Sequence, residues 1–245
     1  MTVWPQPVAE YENGLALIGC GRGYKTVLAV PEGFSQEKVT LMEALGAEVI
    51  RTPRADGMQG AIDYMTARAV KTPKAFIAGQ FENQANPEFH YETTARELYE
   101  QMQGRVDAIV IGSGTGGTFT GIARFMKEQN SNVLTVAVET QGSILGGGEK
   151  GEHEVEGIGA SFIPKTFDYS VCDEIIAVSD ADAFDMVRQL AAKEGVFGGS
   201  SSGANVFAAV GIARRLGPGK RVATIIPDSA ERYLSKDIFH FGEKK

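Results

Sequence analysis

Residues 107–118, DAIVIGSGTGGT, run an apolar stretch of strand length straight into a glycine-rich turn, and an amphipathic stretch of helical length follows. A turn of this composition can cradle phosphate. Without Cβ atoms, the backbone N–H groups of residues 114–118 can converge on an anion. The helix N-terminus adds about half a positive charge, and the hydroxyls of Thr115 and Thr118 can donate as well. A bare strand-to-helix turn needs neither so many glycines nor the threonines. Gly114, Thr115, Gly116, Gly117 and Thr118 are therefore the candidate phosphate-binding residues. The same segment admits a second reading. Gly112, Gly114 and Gly117 satisfy G-x-G-x-x-G, and Glu139 ends the next apolar stretch, where a dinucleotide fold keeps its ribose-binding acid. A second turn, FGGSSSGAN at 197–205, opens a later helix and is either a multiply satisfied helix cap or a second polar wall. Two such turns facing one crevice suit a small phosphorylated cofactor with a polar ring atom.

These turns need a scaffold, and the rest of the chain supplies one. Short apolar runs at 25–30, 47–52, 75–79, 107–112, 133–139, 174–179 and 221–226 alternate with stretches of helical length at 58–71, 91–102, 120–129, 182–195 and 204–217. That alternation predicts parallel sheets covered by helices, and strands buried on both faces need not alternate in polarity. Between the first two runs, Ser35 is placed to cap a helix that Gly46 stops. Residues 81–90 and the glycine-rich 141–164 resist the pattern and are expected to be long loops, hence functional candidates. The expected fold is α/β, with two open, mainly parallel three-layer α/β/α units. The expected boundary lies near residue 90, with a smaller unit at 1–90 and a larger phosphate-binding unit at 91–245.

Composition narrows the function. The chain has 245 residues, enough for one large or two small domains, and its net charge of -7 argues against a nucleic-acid binder held by a basic surface. Cys20 and Cys172 cannot form a disulfide framework, and no Cys/His cluster has zinc spacing, so no metal is expected. No stretch approaches the ~20 apolar residues of a membrane span. A soluble cytoplasmic protein is expected. His90, His153 and His240 are expected to be surface or loop residues.

Taken together, GSGTGGTFTGIARFMKE, VAVET, VEGIGASFIP, GGSSSGAN and IIPDSAERYLS stand in the order and spacing of the fold-type II pyridoxal-phosphate enzymes. The chain resembles most the branch of cysteine synthase and cystathionine β-synthase, whose fold is that of the tryptophan synthase β chain. QFENQANPEFHYETTARELYEQM is similar to that family's segment joining two domains, and residues 21–53 resemble its mobile N-terminal lobe. The resemblance implies pyridoxal phosphate as cofactor, with Gly114 to Thr118 matching the GTGGT loop that holds its phosphate. Ser201 would meet the pyridine nitrogen as a neutral partner, a role open to Ser200 or Ser202 if the extra serine shifts the register. Gln80 matches a glutamine near the substrate carboxylate. Gly157 and Gly159 match a glycine segment close to cofactor and substrate. A small amino-acid substrate, β-replacement of O-acetylserine by sulfide, and a homodimer are implied in the same way.

Two of the family's features have no counterpart. Its Schiff-base lysine lies in an S-x-K-[DE]-R-like motif upstream of the stretch matched by GYKTVLAVPEG, yet no lysine occurs before Lys25. The nearest imitation, Ser235-Lys236-Asp237, lacks the spacer and follows the final strand. The substrate loop, S-[ST]-G-N-T-G, aligns with residues 10–14, EYENG, where Glu10 and Glu12 would oppose a carboxylate. The expectation is an N-terminally incomplete chain that holds the cofactor weakly and non-covalently and has no catalytic lysine. It would be inactive by itself, or a pseudoenzyme serving as a binding protein.

Overall fold

The computed structural model describes residues 2–4 and 9–240. Two compact units divide between Gln80 and Phe81, and residues 232–236 return to the first.

The first unit contains β1 (Thr2–Trp4), α1 (Ala9–Gly21), β2 (Lys25–Pro31), α2 (Gln36–Ala44), β3 (Glu48–Thr52), α3 (Gly57–Val70) and β4 (Ala75–Ile77). Its strands form a parallel sheet in the order β3-β2-β1-β4. The apolar run of β2 is buried on both faces, as a central parallel strand requires. Leu28 and Val30 pack with Ala16 of α1 and with Val39 and Met42 of α2, whereas Val27 and Ala29 pack with Ala61 and Met65 of α3. Gly46, at φ 80°, ends α2 as expected. Ser35 sits at the N-cap position but makes no side-chain cap bond, because its hydroxyl is buried instead. Residues 10–14 lie within α1 and not in a loop. The short β1 was not legible as a strand.

Residues 232–236 fasten onto α2. Ser235 donates its backbone N–H and its hydroxyl to the Glu37 carboxylate at 2.6 and 2.7 Å. Lys38 Nζ donates to the Tyr233 hydroxyl at 2.6 Å and lies 4.1 Å from the centre of that ring, with Lys38 0% and Tyr233 1% exposed. A buried ammonium is costly unless bonded, and both the hydroxyl and the ring face offset that cost. Tyr233→Phe keeps the ring and removes one acceptor of a charged donor. It is expected to lower the unfolding free energy by about 1–3 kcal/mol, measured by denaturant titration.

The second unit contains α4 (Ala85–Glu92), α5 (Thr94–Gln101), β5 (Ala108–Gly112), α6 (Gly117–Gln129), β6 (Leu134–Thr140), β7 (Glu174–Val178), α7 (Asp180–Gln189), α8 (Ser200–Leu216) and β8 (Val222–Thr224). A parallel sheet runs β7-β6-β5-β8, with Ala108 opposite both Leu134 and Val222. Ile109 and Ile111 of β5 enter a core with Phe119, Ile122 and Met126 of α6. Val110, Val136 and Val138, on the opposite pleat, are buried on the side where α8 packs. The chain leaves β5 toward β6 and later returns to β8 on its other side. The carboxyl end of β5 is thus a topological switch point, where α/β sheets bind ligands.

The expected loop at 81–90 is largely a helix. Pro87 is the third residue of α4, where a helix has no use for its N–H, so the proline does not break it. α4 packs along α6, which places it in the second unit and moves the division ahead of the expected one near 90. Residues 141–164 contain neither helix nor strand.

Candidate cofactor site

The turn after β5 forms a cup. Ser113 N–H closes the strand on Val138 O at 2.8 Å, Gly116 takes φ 84°, and α6 begins at Gly117. The N–H groups of Gly114, Thr115, Gly116 and Thr118 have no acceptor among the described residues, as expected of the open end of a helix. A Cβ on Gly114 would collide with the carbonyl oxygen of Gly157, and Gly159 N–H donates to Ser113 O at 3.0 Å. The segment carrying Gly157 (φ 89°) and Gly159 (φ 90°) therefore lies directly on the cup, and its backbone needs glycine at both positions.

The serine-rich turn is the first turn of α8, and helix phase separates its three hydroxyls. Ser200 Oγ accepts from Glu156 N–H at 3.1 Å. Ser202 Oγ is buried without a hydrogen bond, packed where a Cβ on Gly198 would strike it. Ser201 is 3% exposed, and its Oγ lies 3.9 Å from where a Cβ on Gly157 would sit. Of the three hydroxyls, that of Ser201 faces the space beside the glycine segment. Asn205 donates to Ile225 O at 3.1 Å, and its Oδ1 lies where a Cβ on Gly112 would fall, tying α8 to the end of β5.

Glu139 does not occupy a ribose-binding position. Its Oε1 accepts from Gly146 N–H at 3.1 Å, and the side chain is buried beneath the 141–148 loop. The dinucleotide reading loses its acid. Gln80 is buried at the end of the first unit. Among the described residues no group of three or more His, Cys, Asp or Glu could hold a metal, and no helix is long and apolar enough to cross a membrane.

Two residues behind the cup were missed in the sequence. Asn86 Nδ2 donates to Thr115 Oγ1 at 3.0 Å, and the same oxygen accepts from Gly117 N–H at 3.2 Å. His90, expected on a surface or loop, is a helical residue whose Nε2 lies 3.1 Å from Thr118 Oγ1 and whose Nδ1 lies 2.9 Å from Thr94 Oγ1. Burial pushes its pKa below the ordinary 6.5. The i, i+4 spacing of Asn86 and His90 was the available signal, hidden because 81–90 read as a loop. His153 Nδ1 lies 2.9 Å from Val155 O, and His240 pairs with Asp237 on the surface.

The residues fit a phosphate monoester on a small ring. Unbonded N–H groups line the cup, two threonine hydroxyls border it, a backbone wall leaves no room for a Cβ, and a neutral hydroxyl waits at Ser201. A family model described as pyridoxal-phosphate dependent enzyme matches residues 13–228. The chain belongs to that family.

Within the family it is cysteine synthase-like and cystathionine β-synthase-like. An O-acetylserine dependent cystathionine beta-synthase of Bacillus subtilis is 46% identical over 229 residues, covering 94% of this chain and 75% of the relative. A cysteine synthase of Staphylococcus aureus is 42% identical over 233 residues, covering 94% and 74%. Among solved structures, the O-acetylserine dependent cystathionine beta-synthase of Helicobacter pylori matches with TM-score 0.94 and 43% identity, covering 97% of this chain and 78% of that one. The cysteine synthase of Entamoeba histolytica matches with TM-score 0.91 and 35% identity, covering 100% and 73%. The cofactor of this family is pyridoxal phosphate. The expected fold class agrees with these structures.

Proposed function

We propose that the protein serves β-replacement on a small amino acid of the O-acetylserine class, with pyridoxal phosphate held at the cup after β5. The observation that carries this is the set of N–H groups of Gly114, Thr115, Gly116 and Thr118 without acceptors among the described residues, closed over by Gly157 and Gly159. When bound, the cofactor supplies an electron-withdrawing ring that labilises the α-hydrogen of an amino acid. In this proposal Gly114, Thr115, Gly116, Gly117 and Thr118 bind the phosphate in every state of the reaction, so they fix position and do not themselves lower the barrier. Ser201 donates its hydroxyl proton to the ring nitrogen and, being neutral, leaves that nitrogen without a proton of its own. Gln80 is the proposed partner of the substrate carboxylate, and the glycines at 157 and 159 let the backbone approach both molecules. A homodimer is part of the same proposal.

The two relatives are named as enzymes over 94% of this chain, a likeness that favours an enzyme over a pseudoenzyme. No lysine, however, occurs before Lys25. We infer that the cup and the ring partner lie within these 245 residues, and that none of their lysines forms a Schiff base with the cofactor. Titration of the chain with pyridoxal phosphate, then borohydride reduction and intact mass, tests this. The expected result is saturable binding with no covalent adduct, and affinity for unphosphorylated pyridoxal at least about tenfold lower, since charge-assisted hydrogen bonds to the phosphate are lost. Equal affinity for the two would refute the cup, and a stoichiometric adduct on one lysine would refute the missing Schiff base.

A further inference from the structure

Asn86 and His90 lie one helical turn apart on α4, and each bonds one threonine of the cup from behind. Both are reached because α4 crosses α6 closely. A Cβ on Gly117 would strike the Asn86 amide, and one on Gly121 would strike Pro87 O and Tyr91 N. We propose that Asn86 and His90 are positioning residues that consume the inward hydrogen-bonding capacity of Thr115 and Thr118, so that both hydroxyl protons are presented to an anion in the cup. The inference rests on the cofactor reading above and specifies how its phosphate is recognised.

The argument for Thr115 is one of capacity. A hydroxyl oxygen has two lone pairs and one proton. Its lone pairs are taken by Asn86 Nδ2 and by Gly117 N–H, both donors. The proton must then be donated outward, toward the unbonded N–H groups that share the cup. For Thr118 the tautomer decides. A neutral imidazole has one donor and one acceptor nitrogen. With the proton on Nε2, His90 donates to Thr118 and accepts from the Thr94 hydroxyl at Nδ1, which leaves the Thr118 proton for the anion. With the proton on Nδ1 every bond reverses, and Thr118 turns lone pairs toward the anion, an electrostatically unfavourable arrangement. An anion in the cup thus selects the Nε2–H form along a wire from Thr94 through His90 to Thr118. Burial favours the neutral ring, the form able to carry both roles.

The test is a pair of double-mutant cycles read by pyridoxal phosphate affinity, joined to nitrogen NMR of the ring-labelled chain with inorganic phosphate. His90→Phe and Thr118→Val are each expected to weaken binding about tenfold, as loss of a hydrogen bond to a charged group does. The double variant is expected within about twofold of Thr118→Val alone, because His90 acts only through that hydroxyl. Asn86→Leu and Thr115→Val should show the same coupling. With phosphate bound, His90 should be the Nε2–H tautomer. Additive losses of about a hundredfold, or an Nδ1–H ring in the phosphate complex, overturn the proposal. So do variants that bind as the unaltered chain does, while leaving the cofactor reading intact. An unaltered chain that binds neither probe overturns both. Should His90→Phe not fold, Thr94→Val removes the donor at Nδ1 alone. It is expected to weaken binding about threefold and to give a tautomer mixture, and a ring that stays wholly Nε2–H with unchanged binding counts against the wire.

Discussion

Gly114→Val is expected to weaken binding of pyridoxal phosphate by at least about a hundredfold while leaving a folded protein. A Cβ at this position meets the carbonyl oxygen of Gly157, a backbone atom that cannot swing aside as the tip of a long side chain would. Gly157 and Gly159 are both in the left-handed region, and Gly159 N–H is bonded to Ser113 O, so the segment has little slack. Valine must push the segment away or tilt the turn. Either movement misaligns the N–H groups of residues 114–116, which act together on one phosphate. Losing two charge-assisted bonds of about 1.5 kcal/mol each amounts to about 3 kcal/mol, roughly a hundredfold in dissociation constant. The fold should persist because Ile109, Ile111, Ile122 and Met126 pack beneath the turn and are not displaced. Gly114→Ala should lie between the two. Affinity within about threefold of the unaltered chain, measured by absorbance titration, would count decisively against the cup as the phosphate site.

What the sequence disclosed and what it concealed follow from the range of the forces involved. β2, β5 and β6 were legible because a strand buried on both faces needs an apolar centre, and 27–30 (VLAV), 108–111 (AIVI) and 136–138 (VAV) supply one. The cup was legible because its chemistry and its backbone geometry sit in the same few residues. α4 was not, since QANPEFHYE has a proline and few apolar residues, and its helix is held by close packing on α6 at Gly117 and Gly121, far along the chain. With α4 read as a loop, Asn86 and His90 could not be placed on one face. The choice among Ser200, Ser201 and Ser202 was open for a related reason. Only the phase of α8, fixed by Asn205 on Ile225 and by Glu156 on Ser200, decides which hydroxyl faces Gly157. Glu139 fitted a dinucleotide pattern by spacing alone, and the loop that claims its carboxylate lies beyond that pattern.

Gly121→Val is expected to cost about 2–4 kcal/mol of stability, lowering the unfolding midpoint of a chain this size by roughly 4–16 °C. The residue lies one turn beyond Gly117 on the face of α6 that α4 covers, where a Cβ would collide with Pro87 O and stand within 2.7 Å of Tyr91 N. Both are backbone atoms of α4, so relief requires the whole helix to move outward. Movement also strains the contact of Tyr91 and Tyr99 with Phe125, whose rings pack edge-to-face at 5.6 and 5.7 Å. The cup should suffer with the fold, because Asn86 and His90 retreat together and release Thr115 and Thr118. Phosphate affinity is therefore expected to fall about tenfold or more even at temperatures where the variant remains folded. Gly211→Ala is the matched control. It too replaces a helical glycine, on α8, but its added Cβ meets nothing within 4 Å, and it should gain about 0.5–1 kcal/mol from helix propensity. If Gly121→Val melted with the unaltered chain and bound phosphate equally well, α4 would not be clasped to α6 at this point, and the reason for glycine there would have to be sought elsewhere.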